Sequence, residues 1–256
     1  RNSRFVVTRK YKTSWQEHGF MEPECAIAMP EGEDGLLIYT TSQSVYDVQR
    51  ECSAMLKIPP EKVHCRAPLV GGGFGGKEDM SVQQYAALMA WVTKKPVKIK
   101  YTRQESLAYH VKRHPMEMEF TTACDENGIL TATKGVIIAD TGAYASLGGP
   151  VLHRACTHAA GPYNYQNIDI FGMSVYTNNV GSGAFRGFGV TQSCFATEMN
   201  INLLAEMVGK DPFEFRRRNA IKPGDILPNG QKADPNTNME ACLDAVKEEY
   251  YSHPYA

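Results

Sequence analysis

The chain has 256 residues, of which 43% are hydrophobic and 21% charged, and its 27 basic and 28 acidic side chains leave a formal net charge of -1. Near-neutrality removes any electrostatic footprint for nucleic acid or an anionic membrane, and the composition excludes disordered and collagen-like chains. No apolar run approaches the roughly 20 residues of a membrane span, and the opening RNSRFVVTRKYKTSW lacks the apolar core of a secretory signal. Residues 4–13 alternate well enough for a strand. Two more strands, 24–30 and 35–42, flank the acidic turn EGEDG, a hairpin pattern. From Ser44 to Leu56, Val45, Val48, Cys52, Met55 and Leu56 share one helical face, with Ser44 or Asp47 as the cap and Pro59-Pro60 as the stop.

A short extended run at 63–70 enters a glycine-rich turn; residues 81–93 are strongly helical and 96–102 form a strand. The stretch 116–146 alternates on both sides of DENG, which predicts a hairpin of two long strands. Another strand follows at 167–179. A second glycine-rich turn leads into a helix over 191–208. Asp211 and Pro212 start the next helix as N-cap and first residue. A polar loop after Pro223 runs to a last helix at 239–249. Long strands and helices without strict βα alternation predict an α+β fold of mixed sheets, with a division into two subdomains near 100–115.

The seven cysteines, at 25, 52, 65, 124, 156, 194 and 242, come no closer together than 13 residues. That spacing excludes zinc pairs, iron–sulfur ligand runs and a dense disulfide framework. Free thiols suit a reducing cytoplasm, and any redox chemistry here needs a cofactor that these cysteines do not ligate.

The segment from Val70 to Glu78, VGGGFGGKE, satisfies GxGxxG through Gly71, Gly73 and Gly76. A dinucleotide site also needs an acidic residue about 20 positions on, where this chain has Lys95-Pro96-Val97-Lys98. GxxxxGK is present too, but Glu78 stands where a phosphate loop needs Ser or Thr and would repel phosphate. Both nucleotide readings are weak. What these glycines do imply is a backbone at positive φ that a ligand approaches closely. The second turn, Gly181 to Gly189 (GSGAFRGFG), has the same character and adds Arg186 and two aromatic rings. Two such turns, each leading a strand into a helix, predict one shared cavity.

GGGFGGKE followed about a hundred residues later by GAFRGFG resembles the cofactor-binding region of the molybdenum hydroxylases, the xanthine dehydrogenase and aldehyde oxidase family. TTSQSVYDVQ, DTGAYAS, GPYNYQNI and DPFEFRRRN are similar to that family in the same order, over nearly the whole chain. The resemblance implies a molybdenum atom held by a pyranopterin, the molybdopterin cofactor, with no direct protein ligand to the metal. It assigns Gln43 as a neutral donor beside the metal. Gly73, Phe74 and Gly75 of the first turn and Arg186 of the second would border the cofactor. Glu78 and Arg154 match the acid and guanidinium that act on opposite sides of a purine during catalysis, and Phe188 an aromatic residue on its plane. A carboxylic acid at one end and a guanidinium at the other complement a purine, and the cation stabilises negative charge on the ring.

The implied reaction is hydroxylation of hypoxanthine or xanthine with water as oxygen source. Aldehyde oxidases usually carry apolar residues at both polar positions, so Glu78 and Arg154 favour the purine. Nicotinate, another N-heterocycle or an aldehyde remains the alternative, and an assembly module without cofactor a second one. The family's catalytic base, a glutamate in a GVGE-like motif, has no match between Glu198 and Ala256. The chain therefore reads as the first half of the cofactor-binding region. Its expected partners are the remainder carrying that glutamate, and 2Fe-2S and FAD domains or subunits. His18, His153 and His158 read as structural or solvent-facing, and Glu22 and Glu24 as ordinary loop acids.

Overall fold

In the computed structural model, which describes residues 3–165, 167–227 and 229–253, the chain begins with β1 (Phe5–Thr13), β2 (Cys25–Glu31), β3 (Gly35–Thr40), α1 (Val45–Leu56) and β4 (Val63–Arg66). Next come α2 (Gln83–Thr93), β5 (Val97–Lys100), α3 (Arg103–Tyr109), β6 (Lys112–Arg113), β7 (Met116–Cys124) and β8 (Leu130–Gly142). The last elements are α4 (Gly148–Thr157), β9 (Asn167–Tyr176), β10 (Ser182–Gly183), α5 (Val190–Val208), α6 (Pro212–Asn219) and α7 (Met239–Ser252). No helix among the described residues is long and apolar enough to cross a membrane.

These elements form two mixed four-stranded sheets and a two-stranded parallel one, β10-β6, in keeping with an α+β fold. The first has the order β4-β3-β2-β5. Alternation along β2 and β3 buries Ala26, Ala28, Leu36 and Ile38 against Val48 and Cys52 of α1 and Ala86, Ala87 and Ala90 of α2. The three alanines let α2 lie close to the sheet.

The second sheet has the order β1-β7-β8-β9, antiparallel except for the parallel β8–β9 pair. Along β7, Met116, Met118 and Phe120 are buried while Glu117 and Glu119 face out. Lys12 pairs with Glu117 on that outer face at 2.7 Å. The β7–β8 turn closes as DENG predicts, with Asp125 Oδ1 accepting from the N–H groups of Asn127 (2.9 Å) and Ile129 (2.8 Å). Helices α4 and α5 cover the inner face with Val151, Ala155 and Ala196. The chain passes from one sheet to the other twice, after Thr13 and again after Lys100, and α3 and β6 lie on the second crossing.

Two helices depart from the sequence-based expectation. Helix α3 opens with a capping box, Thr102 and Glu105 exchanging side-chain and main-chain bonds. Helix α4 begins Gly148-Gly149-Pro150, residues that read as a loop. Gly148 is there because a Cβ would fall 2.3 Å from Thr141 Oγ1. The seven cysteines are free, and burial pushes the Cys52 thiol up to about 12.

Candidate functional site

The two glycine-rich turns touch. Arg186 N–H donates to Phe74 O at 2.8 Å. Gly75 has φ +95°, and a Cβ on it would come within 3.2 Å of the main chain of Ala184 and Phe185. Phe74 (φ +52°) and Phe188 (φ +49°) also hold left-handed conformations, unusual for bulky side chains and found at ligand clamps. The two turns, predicted to line one cavity, meet through this backbone contact, while the cleft described below is lined by Phe188 of the second turn and by no residue of the first.

Gln43 is built into the first turn. Its Oε1 accepts from Gly75 N–H (2.9 Å) and Lys77 N–H (3.2 Å), and its own main-chain N–H donates to Lys77 O (2.9 Å). Two main-chain donors demand the oxygen end of the amide, so the Nε2 hydrogens are left over for a ligand. A Cβ at Gly73 would lie 2.3 Å from Gln43 Oε1, which explains the glycine there.

Behind the turns is a buried polar scaffold that the sequence does not announce. Lys77, its side chain only 1% exposed, pairs with Glu22 Oε2 at 2.9 Å and lies 4.7 Å from the centre of the Phe20 ring. The same Glu22 oxygen accepts Gly71 N–H at 2.7 Å. His110 Nδ1 is 2.9 Å from Glu24 Oε1, both side chains buried. His18 Nε2 donates to Ala184 O at 2.7 Å, and its ring packs on Phe185 with centroids 4.0 Å apart. Arg113 stacks on the same Phe185 at 3.9 Å while bonding Gln16, Thr191 and Arg186 O. Glu22 and Glu24 are therefore not ordinary loop acids, and His18 bolts the second turn from behind. No local pattern signals these pairs, since His18 and Ala184 lie 166 positions apart.

Burial pushes His18 and His114 down from their ordinary 6.5 to about 4, although His18's bond to Ala184 works the other way. Burial raises the Glu24 carboxyl, but its bonds to His110 and Ser106 outweigh this and leave it lowered. Both histidines are neutral in the fold, and the unfolded chain takes up their protons near pH 6.5. Their contribution to stability is whole above that pH and drains away as the pH falls toward 4. We expect urea unfolding midpoints to decline from pH 6.5 downward, and His114→Asn to flatten the decline. A midpoint unchanged between pH 7 and 4.5 contradicts the assignment.

The predicted substrate residues divide into two groups. Arg154 and Phe188 line one open cleft of about 700 Å³ with Gly149, Pro150, His153, Thr157 and His158. This cleft exists because α4 sits directly on the second turn, where a Cβ on Gly189 would strike Val151 O at 2.2 Å. Glu78 is not among the lining residues. It follows the first turn, half-buried, its carboxyl raised by desolvation and by the neighbouring Asp79 and Asp47 charges. Arg186 extends its side chain into solvent. Among the described residues no group of three or more His, Cys, Asp or Glu could hold a metal ion.

Residues 1–220 match the family model described as molybdopterin cofactor-binding domain. The chain is 42% identical over 241 residues to a probable xanthine dehydrogenase subunit of Bacillus subtilis (strain 168), covering 94% of this chain and 32% of that one. It is 40% identical over 243 residues to the nicotinate dehydrogenase large molybdopterin subunit of Eubacterium barkeri, covering 95% and 57%. Its backbone superposes on the aldehyde oxidoreductase from Desulfovibrio gigas with TM-score 0.93 at 31% identity, over 98% of this chain and 28% of that one. For quinoline 2-oxidoreductase from Pseudomonas putida 86 the TM-score is 0.91 at 26% identity, over 98% and 33%. The chain thus spans less than two thirds of each of these proteins.

Proposed function

This chain belongs to the molybdopterin cofactor-binding domain family, and from that premise we propose that it forms one wall of the molybdenum site of an oxidoreductase that hydroxylates a purine, hypoxanthine or xanthine. The observation that carries the reading is the Gln43 junction: a neutral amide oriented by Gly75 and Lys77 N–H groups, with the second turn bonded to Phe74 O alongside. The residues fit such a group. Gln43 Nε2 offers an uncharged donor, Gly73 and Gly75 give close approach to backbone, and Phe74 and Arg186 border the same junction. Bound molybdenum supplies the two-electron oxidation, with water as the source of oxygen.

The chain's own side chains bind and orient the ring. Arg154 presents its guanidinium in the cleft beside Phe188, where it neutralises charge gathering on a heterocycle. Glu78, its carboxyl raised by desolvation and by the Asp79 and Asp47 charges, is the acid assigned to the opposite edge of the ring. The glutamate base, the 2Fe-2S centres and FAD belong to other parts of the complete protein in this reading. Nicotinate is the second candidate, because its carboxylate also suits Arg154 and a 40% identical relative is named for that substrate.

In the full-length assembled protein, Glu78→Ala and Arg154→Met should each lower kcat/KM for xanthine by at least about tenfold at unchanged molybdenum content, the effect of losing one charge-assisted contact. Unchanged xanthine oxidation in both variants overturns the purine reading. Turnover of nicotinate alone, sensitive to Arg154→Met and not to Glu78→Ala, establishes the second.

A further inference from the structure

We propose that Asp79 and Ser146 form a tie that sets the separation between Glu78 and Arg154, which makes Asp79 a positioning residue for substrate selection. This inference rests on the assignment of Glu78 and Arg154 to the substrate. The two residues lie on different bodies. Glu78 ends the first glycine turn, whereas Arg154 rides on α4, which continues from β8 through the loop 143–147. Within the described residues one side-chain bond joins that loop to the Glu78 segment: Ser146 Oγ donates to Asp79 Oδ1.

The tie is prepared from both ends. Ser146 holds a positive φ of +39°, an unfavourable conformation for serine, two residues before α4 begins. Thr141 Oγ1 secures the same loop by donating to Ala145 O at 3.1 Å. On the other side, the second oxygen of Asp79 lies under β10, where a Cβ on Gly183 would come 2.2 Å from Oδ2. Asp79 therefore touches the loop that launches α4 and the start of the second turn while adjoining Glu78 in the chain. Burial raises its carboxyl, and Ser146 and the Ala184 N–H oppose this. An ordinary surface acid has no need of a glycine carved out beneath it.

Because α4 already rests on the second turn through Gly189, the tie acts on the remaining freedom, the offset between the acid and the guanidinium. Loosening it should weaken the grip on the ring without emptying the cofactor site. The test uses the full-length protein with xanthine and nicotinate, whichever it oxidises. We expect Ser146→Ala and Asp79→Ala each to raise KM about tenfold with kcat within about twofold, and the double variant to be no worse than either single one. Equilibrium binding of the hydroxylated product should weaken by the same factor, and molybdenum content should stay at the parent level. Asp79→Asn keeps an acceptor for Ser146 and should restore KM. An unchanged KM and product affinity in Ser146→Ala and Asp79→Ala overturn the tie when Arg154→Met remains impaired. Loss of molybdenum in Ser146→Ala also overturns it, since the bond then serves cofactor retention. If Glu78→Ala and Arg154→Met are themselves without effect, it is the substrate assignment that falls.

Discussion

Replacing Gly75 with alanine should strip the assembled protein of most of its molybdenum, at least a tenfold loss by metal analysis. Gly75 sits at φ +95°, ψ -23°, where an alanine is strained by roughly 1–2 kcal/mol. The new methyl meets Ala184 C and Phe185 N and Cα at 3.2 Å, and these are main-chain atoms that no rotamer change can move aside. The second turn has to retreat. That retreat stretches the Arg186 N–H to Phe74 O bond, and recoil of Gly75 from the same contact draws its N–H away from Gln43 Oε1. Once that bond goes, the Gln43 amide is free to rotate, and the donor it presents loses its orientation.

A control separates this local effect from backbone strain alone. Gly209 caps α5 at φ +68°, and nothing lies within 4 Å of a Cβ there. Gly209→Ala should lose stability of the same order through strain yet keep its molybdenum. Full molybdenum in Gly75→Ala would sink the view that contact between the turns shapes the cofactor site.

How much of this was legible in the sequence depends on whether the signal was local. Alternation at Met116, Met118 and Phe120, the Asp125 turn and the Asp211-Pro212 start are near-neighbour patterns, and the structure has all of them. Helix α3 carried its own signal in Thr102 and Glu105, but Thr102 reads as the end of the strand at 96–102. Helix α4 had none, because Gly148, Gly149 and Pro150 mark a loop unless the crowding against Thr141 is known. The two turns were legible as places of close approach, since only glycine takes those dihedrals without strain. What pressed on them was not. Gly76 is glycine because a Cβ would meet His110 Nε2 at 2.4 Å and His18 Cδ2 at 2.9 Å. Those two histidines come from segments far apart in the chain, each unremarkable when read alone. Lys77 also looked like the cation of a phosphate loop, yet it is buried and committed to Glu22.

That commitment leads to the second large effect, in Glu22→Ala. Among the described residues, the Lys77 ammonium, 2.9 Å from Glu22 Oε2 and 1% exposed, would be left with the face of Phe20 at 4.7 Å. Removing one partner of a buried pair costs roughly 3–5 kcal/mol, and because Glu22 itself is a third open to water we expect about 3. Gly71 N–H loses its acceptor in the same step, so the entrance to the first turn loosens as well. Proteolysis at the first turn and an early thermal transition should both report the change. Lys77→Met in the Glu22→Ala background should recover at least half of the loss, because methionine fills the same space beside Phe20 without a charge to strand. No recovery would mean that the Gly71 bond, rather than the buried cation, carries the energy. A silent Glu22→Ala would mean that neither does, and the first turn would then owe its shape to Gln43 and the two histidines alone.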